Sequence, residues 1–101
     1  MTPKELKQLF RTGVTVSTPG AIAALQENYG DEWEDYGWQF LLRHVTGDWG
    51  DLCDDDLYAN TLAVKHGERI LSAYLLKDGT KLWVITEADR SATTFLLPGE
   101  Y

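Results

Sequence analysis

The sequence contains little cysteine, few basic residues and no long apolar run. Its only cysteine, Cys53, excludes an internal disulfide and a cysteine metal cluster, and no basic neighbour activates its thiol. No apolar run approaches the roughly 20 residues that span a bilayer. The N-terminus also lacks the cationic and then apolar plan of a signal peptide. We therefore expect a cytoplasmic protein that does not bind membranes.

Familiar cofactor and catalytic motifs are also missing. The sequence has no glycine-rich phosphate loop, no serine-nucleophile elbow, no HExxH helix and no CxxC pair. Residues 51–56 lack the alternating ligands and central glycine of a calcium loop. The three aspartates at 54–56 are explained by the favourable interaction of negative charge with a helix N-terminus. We therefore predict neither a cofactor nor a metal site.

The remaining composition is that of a globular protein. With 101 residues, 44% of them hydrophobic and 25% charged, the chain is long enough for one hydrophobic core and too short for two. We expect a single domain over residues 1–101 of the α+β class, with about four short helices followed by a three-stranded antiparallel β-meander.

Apolar spacing, proline and glycine predict the helices. Ser17-Thr18-Pro19 predicts an N-cap followed by a proline at the first helical turn, and Gly67 is placed to end the last helix. Val14 and Val16 alternate with threonine and indicate a short strand or an extended lead-in. The predicted helices cover Pro3–Phe10, Pro19 to the stop at Gly30, Tyr36–Val45 and Asp55–His66.

From Arg69 onwards the period changes from helical to alternating, which predicts strands over Arg69–Leu76, Lys81–Thr86 and Ala92–Leu97. If Asp78-Gly79 forms a two-residue hairpin turn, the register of the first two strands is fixed. The predicted pairs are Leu75 with Leu82, Tyr74 with Trp83, Ala73 with Val84, Thr86 with Thr93 and Val84 with Phe95.

This register gives the predicted sheet two apolar faces. The face expected to pack on the helices carries Leu71, Ala73, Leu75, Leu82, Val84, Phe95 and Leu97. The opposite face, with Ile70, Tyr74, Leu76, Trp83, Ile85 and Leu96, is too apolar to be left in water. We expect either the N-terminal helix to cover it or a homodimer or partner contact to use it.

Negative charge is concentrated in the middle of the sequence. Residues 27–56 hold ten carboxylates and one cation, Arg43, so this segment carries −9 while the whole chain carries −7. The rest of the chain is close to balanced, at +2. Such a segment disfavours direct binding of nucleic acid and attracts a basic protein surface. The alternative is a solvated acidic face that keeps the protein soluble.

Two segments hold side chains that are typical of hydrolytic sites. After the third predicted helix, His44 precedes Asp48 by four residues, which places a carboxylate to orient an imidazole for general-base work. At the tip of the last hairpin, Glu87 is a candidate acid or base, Arg90 a candidate for stabilising a developing anion, and Thr93 a hydrogen-bond donor. The alternative is structural, namely a histidine at a helix C-terminus and a well-ordered turn.

Residues His44–Asp51, Arg69–Tyr74 and Trp83–Pro98 resemble a family of small plasmid- and phage-borne proteins. Members are often labelled plasmid-related protein, or mislabelled as a type I restriction subunit. The resemblance implies a mobile-element context and no activity of its own. Small acidic proteins of mobile elements are frequently inhibitors of host defence, such as anti-restriction or anti-CRISPR proteins, and they often present carboxylates where a nuclease expects phosphates.

The order of the helices, the Arg69–Leu71 strand and the Arg90–Thr94 tip also resemble microbial ribonucleases of the barnase, colicin and RelE type. In those enzymes, helices precede an antiparallel sheet that carries the catalytic arginine, histidine and threonine. The sequence departs from that pattern because its last two strands contain no histidine and the chain is acidic, whereas a ribonuclease needs cations near the phosphates of its substrate.

We therefore favour a non-enzymatic binding protein, an inhibitor of a host nuclease or defence complex, that engages a basic protein surface through its acidic middle segment. The alternatives are a ribonuclease-type toxin and a self-associating structural module. Tryptophans among carboxylates are typical of dominant contact patches. The predicted partner-binding residues are Asp31, Glu32, Trp33, Glu34, Asp35, Asp48, Trp49 and Asp51.

Overall fold

A computed structural model describes residues 7–101 as a four-stranded mixed sheet with helices on one face and beside one edge. Within these residues, no helix is long and apolar enough to cross a bilayer. The elements, in chain order, are β1 (Val14–Ser17), α1 (Pro19–Tyr29), a 3₁₀ turn (Gly30–Glu32), α2 (Trp33–Val45), α3 (Asp54–His66), β2 (Ile70–Leu75), β3 (Lys81–Thr86), β4 (Ala92–Leu96) and a second 3₁₀ turn (Pro98–Glu100).

The strand order is β1-β4-β3-β2, with β1 parallel to β4 and the other neighbours antiparallel. The predicted arrangement of four helices followed by a three-stranded antiparallel meander is therefore wrong. One strand precedes the helices, α1 and α2 are joined through the 3₁₀ turn, and α3 packs against β2. Half of the predicted helix Pro3–Phe10 lies outside the described residues, and its other half, residues 7–10, is not helical.

The helix ends follow local sequence signals. The Thr18 hydroxyl accepts a hydrogen bond from the Ala21 N–H at 3.1 Å, so it is the N-cap that the sequence predicts. Three aspartates occupy the first turn of α3, and Gly67 ends that helix in the left-handed conformation, at φ 73°. These contacts fix where the polypeptide enters and leaves the sheet.

The β2–β3 register differs by one residue from the predicted one. Tyr74 lies opposite Leu82 and Ala73 opposite Trp83. The connection is a three-residue loop ending in Gly79, whose φ of 88° is accessible to glycine at little cost, and not a two-residue turn. The predicted β3–β4 register is confirmed, with Thr86 opposite Thr93 and Val84 opposite Phe95.

A shift of one residue turns every side chain of a strand to the other face. The helix-facing side of β2 therefore presents Ile70, Ser72 and Tyr74, instead of the predicted Leu71, Ala73 and Leu75. Tyr74 and Trp83 do not share a face, so the predicted self-association surface is not formed as such. Trp83 is half-buried, and the Tyr101 ring lies 5.8 Å from it, edge-on.

The edge of the sheet at β2 is covered at Leu71 and Ala73. The Asn60 amide of α3 accepts from the Leu71 N–H at 3.1 Å and donates to the Leu71 carbonyl at 2.7 Å. Next along the edge, the Ala73 N–H donates to the Trp49 carbonyl at 3.0 Å, and the Asp51 N–H donates to the Ala73 carbonyl at 2.6 Å. These contacts satisfy the outward backbone groups of Leu71 and Ala73.

Candidate protein-interaction site

The predicted partner-binding residues fall into two groups at opposite ends of α2. Asp31 and Glu32 lie in the 3₁₀ turn, and Trp33, Glu34 and Asp35 begin the helix. The second group, 48–51, follows the other end. Because ten residues of α2 follow Asp35, about 15 Å of helix separates the two groups. The acidic segment is therefore not one continuous surface.

In the second group, the carboxylate of Asp48 is already paired. Its Oδ2 accepts from Arg43 Nε at 2.7 Å and its Oδ1 from Arg43 Nη2 at 3.3 Å, which lowers the pKa of Asp48. The Arg43 guanidinium also lies 4.5 Å from the centre of the Tyr74 ring, whose hydroxyl donates to the Asp48 carbonyl at 2.7 Å. Asp48 thus contributes little free negative charge to a partner.

Trp49, in the same group, is a buried residue. Its indole N–H donates to the His44 carbonyl at 3.1 Å, and its own carbonyl closes the sheet edge at Ala73. Gly50 follows at φ 81°, where a Cβ would collide with the Ala73 carbonyl. The tryptophan and the glycine serve the packing of this loop against β2, so the second group offers no exposed aromatic anchor.

At the first group, a groove of about 360 Å³ runs between α2 and β1. Its volume lies at the small end of the range of roughly 300–1,000 Å³ that is typical of ligand pockets. Trp33 is half-buried at the groove, and Trp38 is 67% exposed. The lining is formed by Thr15, Ser17, Leu25, Trp33, Glu34, Gly37, Trp38, Leu41 and Phe95.

Gly37 lies inside α2 and keeps part of the groove open. A Cβ at this position would meet no atom within 4 Å outside its own helix, so packing does not require a glycine here. A glycine inside a helix costs roughly 1 kcal/mol relative to alanine. The protein therefore carries a destabilising residue at the point where a side chain would project into open space beside Trp38.

The surroundings of the groove are acidic. Glu34 belongs to the lining, and Asp31, Glu32 and Asp35 are exposed on the adjoining turns. At the end of β1, Glu100 accepts from the Thr18 hydroxyl at 2.6 Å, and hydrogen bonds to Thr18, Leu97 and Gly20 lower the pKa of this carboxyl. Among residues 7–101, no lysine or arginine lines the groove.

The candidate catalytic residue His44 lies in the core. Its side chain is fully buried, with Nδ1 2.5 Å from the Ser72 hydroxyl and Nε2 2.9 Å from the Thr86 hydroxyl. Thr86 in turn contacts the Thr93 hydroxyl at 2.7 Å, and Thr93 donates to the Thr12 carbonyl at 2.8 Å. Burial, with a smaller effect of Arg90, lowers the pKa of His44 to about 3.

The direction of these hydrogen bonds assigns the tautomer. Thr93 gives its only hydroxyl hydrogen to the Thr12 carbonyl, so Thr86 donates to Thr93 and accepts from His44 Nε2. Nδ1 then accepts from Ser72. The neutral imidazole is therefore fully hydrogen-bonded within the core. It has no contact with solvent, so this geometry supports a structural role and leaves no room for an RNA phosphate.

Arg90 also has structural contacts. Its guanidinium donates to the carbonyls of Ala63 at 3.0 Å and Glu68 at 2.6 Å, which ties the end of α3 to the last hairpin. It is the one described residue besides glycine with a positive φ, at 61°. Glu87, by contrast, is exposed at the hairpin tip. The four residues of the hydrolytic hypothesis thus differ in access to solvent, with the histidine and Thr93 buried.

Within the described part of the chain, no three histidine, cysteine, aspartate or glutamate side chains are placed to hold a metal ion. No family model, curated protein or solved structure matches the chain.

Sequence reasoning identified the carboxylates and Trp33 and missed the other half of the groove. Thr15 and Ser17 of β1 form one wall, and Gly37 and Trp38 part of the other. A glycine followed by a tryptophan inside a predicted helix was the available signal, because neither residue type favours an exposed helical position without a packing or functional reason. No local signal placed β1 beside α2.

Proposed function

We propose that this protein is a non-enzymatic binding module that engages a basic protein surface through the groove between α2 and β1. The observation that carries the proposal is the exposed Trp38 ring beside an apolar groove whose charged surroundings, in the described residues, are carboxylates. Large aromatic side chains in such settings supply much of the contact energy at protein interfaces.

The negative charge beside the groove indicates the kind of partner. Four carboxylates occupy residues 31–35 without a cation between them, and complementary charge speeds association while like charge excludes wrong partners. The same field disfavours nucleic acid as the ligand, because the phosphates would be repelled. The resemblance to small plasmid- and phage-borne proteins extends the proposal to an inhibitor of a host nuclease or defence complex.

A direct test uses the intrinsic fluorescence of the full chain, since Trp33 and Trp38 line the groove. The probe is a ten-residue, end-capped peptide of alternating lysine and valine, and its control replaces lysine by glutamate. The variant Glu32→Gln/Glu34→Gln/Asp35→Asn removes three charges near the groove. A matched variant, Asp54→Asn/Asp55→Asn/Asp56→Asn, removes three charges at the start of α3.

We expect the lysine peptide to change the fluorescence and the glutamate peptide to leave it unchanged. The groove variant should slow association about tenfold and flatten its salt dependence, whereas the α3 variant should behave as the native chain does. Equal effects of the two variants would mean that binding depends on the net charge of the protein and not on the groove. Absence of binding by the lysine peptide would overturn the proposal.

A further inference from the structure

The outer edge of β1 presents an unused row of backbone hydrogen-bonding groups. The N–H groups of Val14 and Thr18 donate to β4, to the carbonyls of Ser91 and Phe95, both at 3.0 Å. Because alternate residues of a strand point their backbone groups to opposite edges, Thr15 and Ser17 direct theirs away from β4. These groups have no hydrogen-bond partner among residues 7–101, and all four residues of β1 are exposed.

The two edges of the sheet are treated differently. At β2, the Asn60 side chain and the loop containing Trp49 occupy the outward backbone groups of Leu71 and Ala73. At β1, the described residues provide no such cover, and the strand itself has no proline, no lysine and no other charge to discourage pairing. An open edge of this kind is a template for one more strand.

The open edge and the groove are continuous, because the side chains of Thr15 and Ser17 line the groove. A strand added to β1 would lie about 4.8 Å from it. Alternate side chains of that strand would enter the groove beside Trp38 and Leu41. The intervening side chains would lie next to Val14 and Val16, which are 67% and 47% exposed on the other face.

We infer that the partner binds as an extended basic peptide segment that adds to the free edge of β1 as a fifth strand. This inference rests on the proposed function and specifies its mode of recognition, since main-chain hydrogen bonds supply affinity and alternate side chains supply selectivity. The peptide segment must be basic, because the carboxylates of Glu34 and Glu100 lie in the groove and at the end of β1.

A second copy of this chain fits the edge less well. Pairing of β1 with β1 about a two-fold axis would bring the two Glu34 side chains and the two 31–35 segments toward each other. Each copy carries −7, and like charges in close apposition oppose association. A basic peptide segment bound at the same edge does not meet this repulsion.

The test combines a change in the protein with a change in the peptide. Thr15→Pro removes an N–H that points away from β4, so it leaves the β1–β4 hydrogen bonds in place. Thr15→Val keeps the N–H and the branched shape of the side chain, so the difference between the two variants isolates the N–H. The lysine–valine peptide is used in three forms: unmodified, N-methylated at every valine, and N-methylated at every lysine.

We expect Thr15→Pro to bind the peptide about tenfold more weakly than Thr15→Val, which is the effect of losing roughly one hydrogen bond. One of the two methylated peptides should lose binding and the other should keep it, because only one set of N–H groups can face β1. Binding that is insensitive to both changes would overturn strand addition and leave the proposed function standing.

Two other outcomes would overturn the inference. Failure of the unmodified peptide to bind would remove the proposed function together with the inference. A concentration-dependent dimer in light scattering that Thr15→Pro dissociates, and that the peptide does not displace, would assign the edge to a second copy and overturn the inference.

Discussion

Lowering the pH from 7.5 to 5 should destabilise the protein through one buried side chain, His44. Its pKa is about 3 in the folded state and near its ordinary value of 6.5 in the unfolded chain. The unfolded chain therefore binds more protons than the folded one throughout this interval, so stability falls as the pH falls. The loss approaches 1.4 kcal/mol per pH unit and amounts to about 2 kcal/mol at pH 5.

The interval from pH 7.5 to 5 isolates this histidine. The carboxyl groups with lowered pKa, such as Asp48 and Glu100, contribute mainly below about pH 5, where carboxylates of the unfolded chain become protonated. Urea unfolding at both pH values measures the free energy of unfolding for the native chain and for His44→Gln. The variant should be less stable at pH 7.5, and most of the dependence on pH should disappear.

A second readout does not depend on the stability of the variant. The imidazole resonances of His44 should remain those of the neutral, Nε2-protonated ring between pH 7.5 and 5. Titration of this ring with a midpoint near 6.5 would refute the reasoning. The reasoning would also be refuted if the free energy of unfolding were the same at both pH values for the native chain and for His44→Gln.

Two further substitutions test the contacts that hold the sheet. Asn60→Ala removes both hydrogen bonds to the backbone of Leu71 and should cost about 2 kcal/mol in the free energy of unfolding, measured by urea titration. Asn60→Asp should cost at least as much, since a carboxylate cannot donate to the Leu71 carbonyl. Arg90→Gly removes the guanidinium but suits the positive φ, so its cost of roughly 2 kcal/mol should be smaller than that of Arg90→Ala. An Arg90→Ala variant that is more stable than Arg90→Gly would contradict this account.

The parts of the fold that depend on local signals were predictable. The N-cap at Thr18 and the glycine stop at Gly67 act over one helical turn, and both lie where the sequence places them. The hairpin register was not predictable in the same way. Asp78-Gly79 suits a two-residue turn and also the end of a three-residue loop. This difference of one residue in loop length decides which face of β2 packs on the helices.

The pairing of β1 with β4 depends on contacts between residues far apart in the sequence. Parallel neighbours need a long crossover connection, and nothing in a short alternating run of valine and threonine shows which strand it will join. The wall of the groove that β1 forms was hidden for the same reason. The acidic residues and Trp33 were visible because composition alone distinguishes them.

Trp38 and Trp49 show where composition fails. Both lie near carboxylates in the sequence, yet Trp38 is 67% exposed and Trp49 is 7% exposed. The difference comes from the β2 edge, where Trp49 finds partners for its indole N–H and its carbonyl in His44 and Ala73. An aromatic anchor for a partner can thus be separated from a core residue only after the edge of the sheet is known.

The most direct test of the interaction site is Gly37→Leu, measured for both stability and affinity. The substitution places a branched side chain in the open space of the groove and replaces a poor helix former, and Gln39→Leu on the exposed side of α2 is the matched control. We predict that Gly37→Leu unfolds no more easily than the native chain but binds the lysine–valine peptide at least tenfold more weakly, while Gln39→Leu binds it normally. Unchanged affinity in a stably folded Gly37→Leu would contradict the assignment of the groove as the binding site.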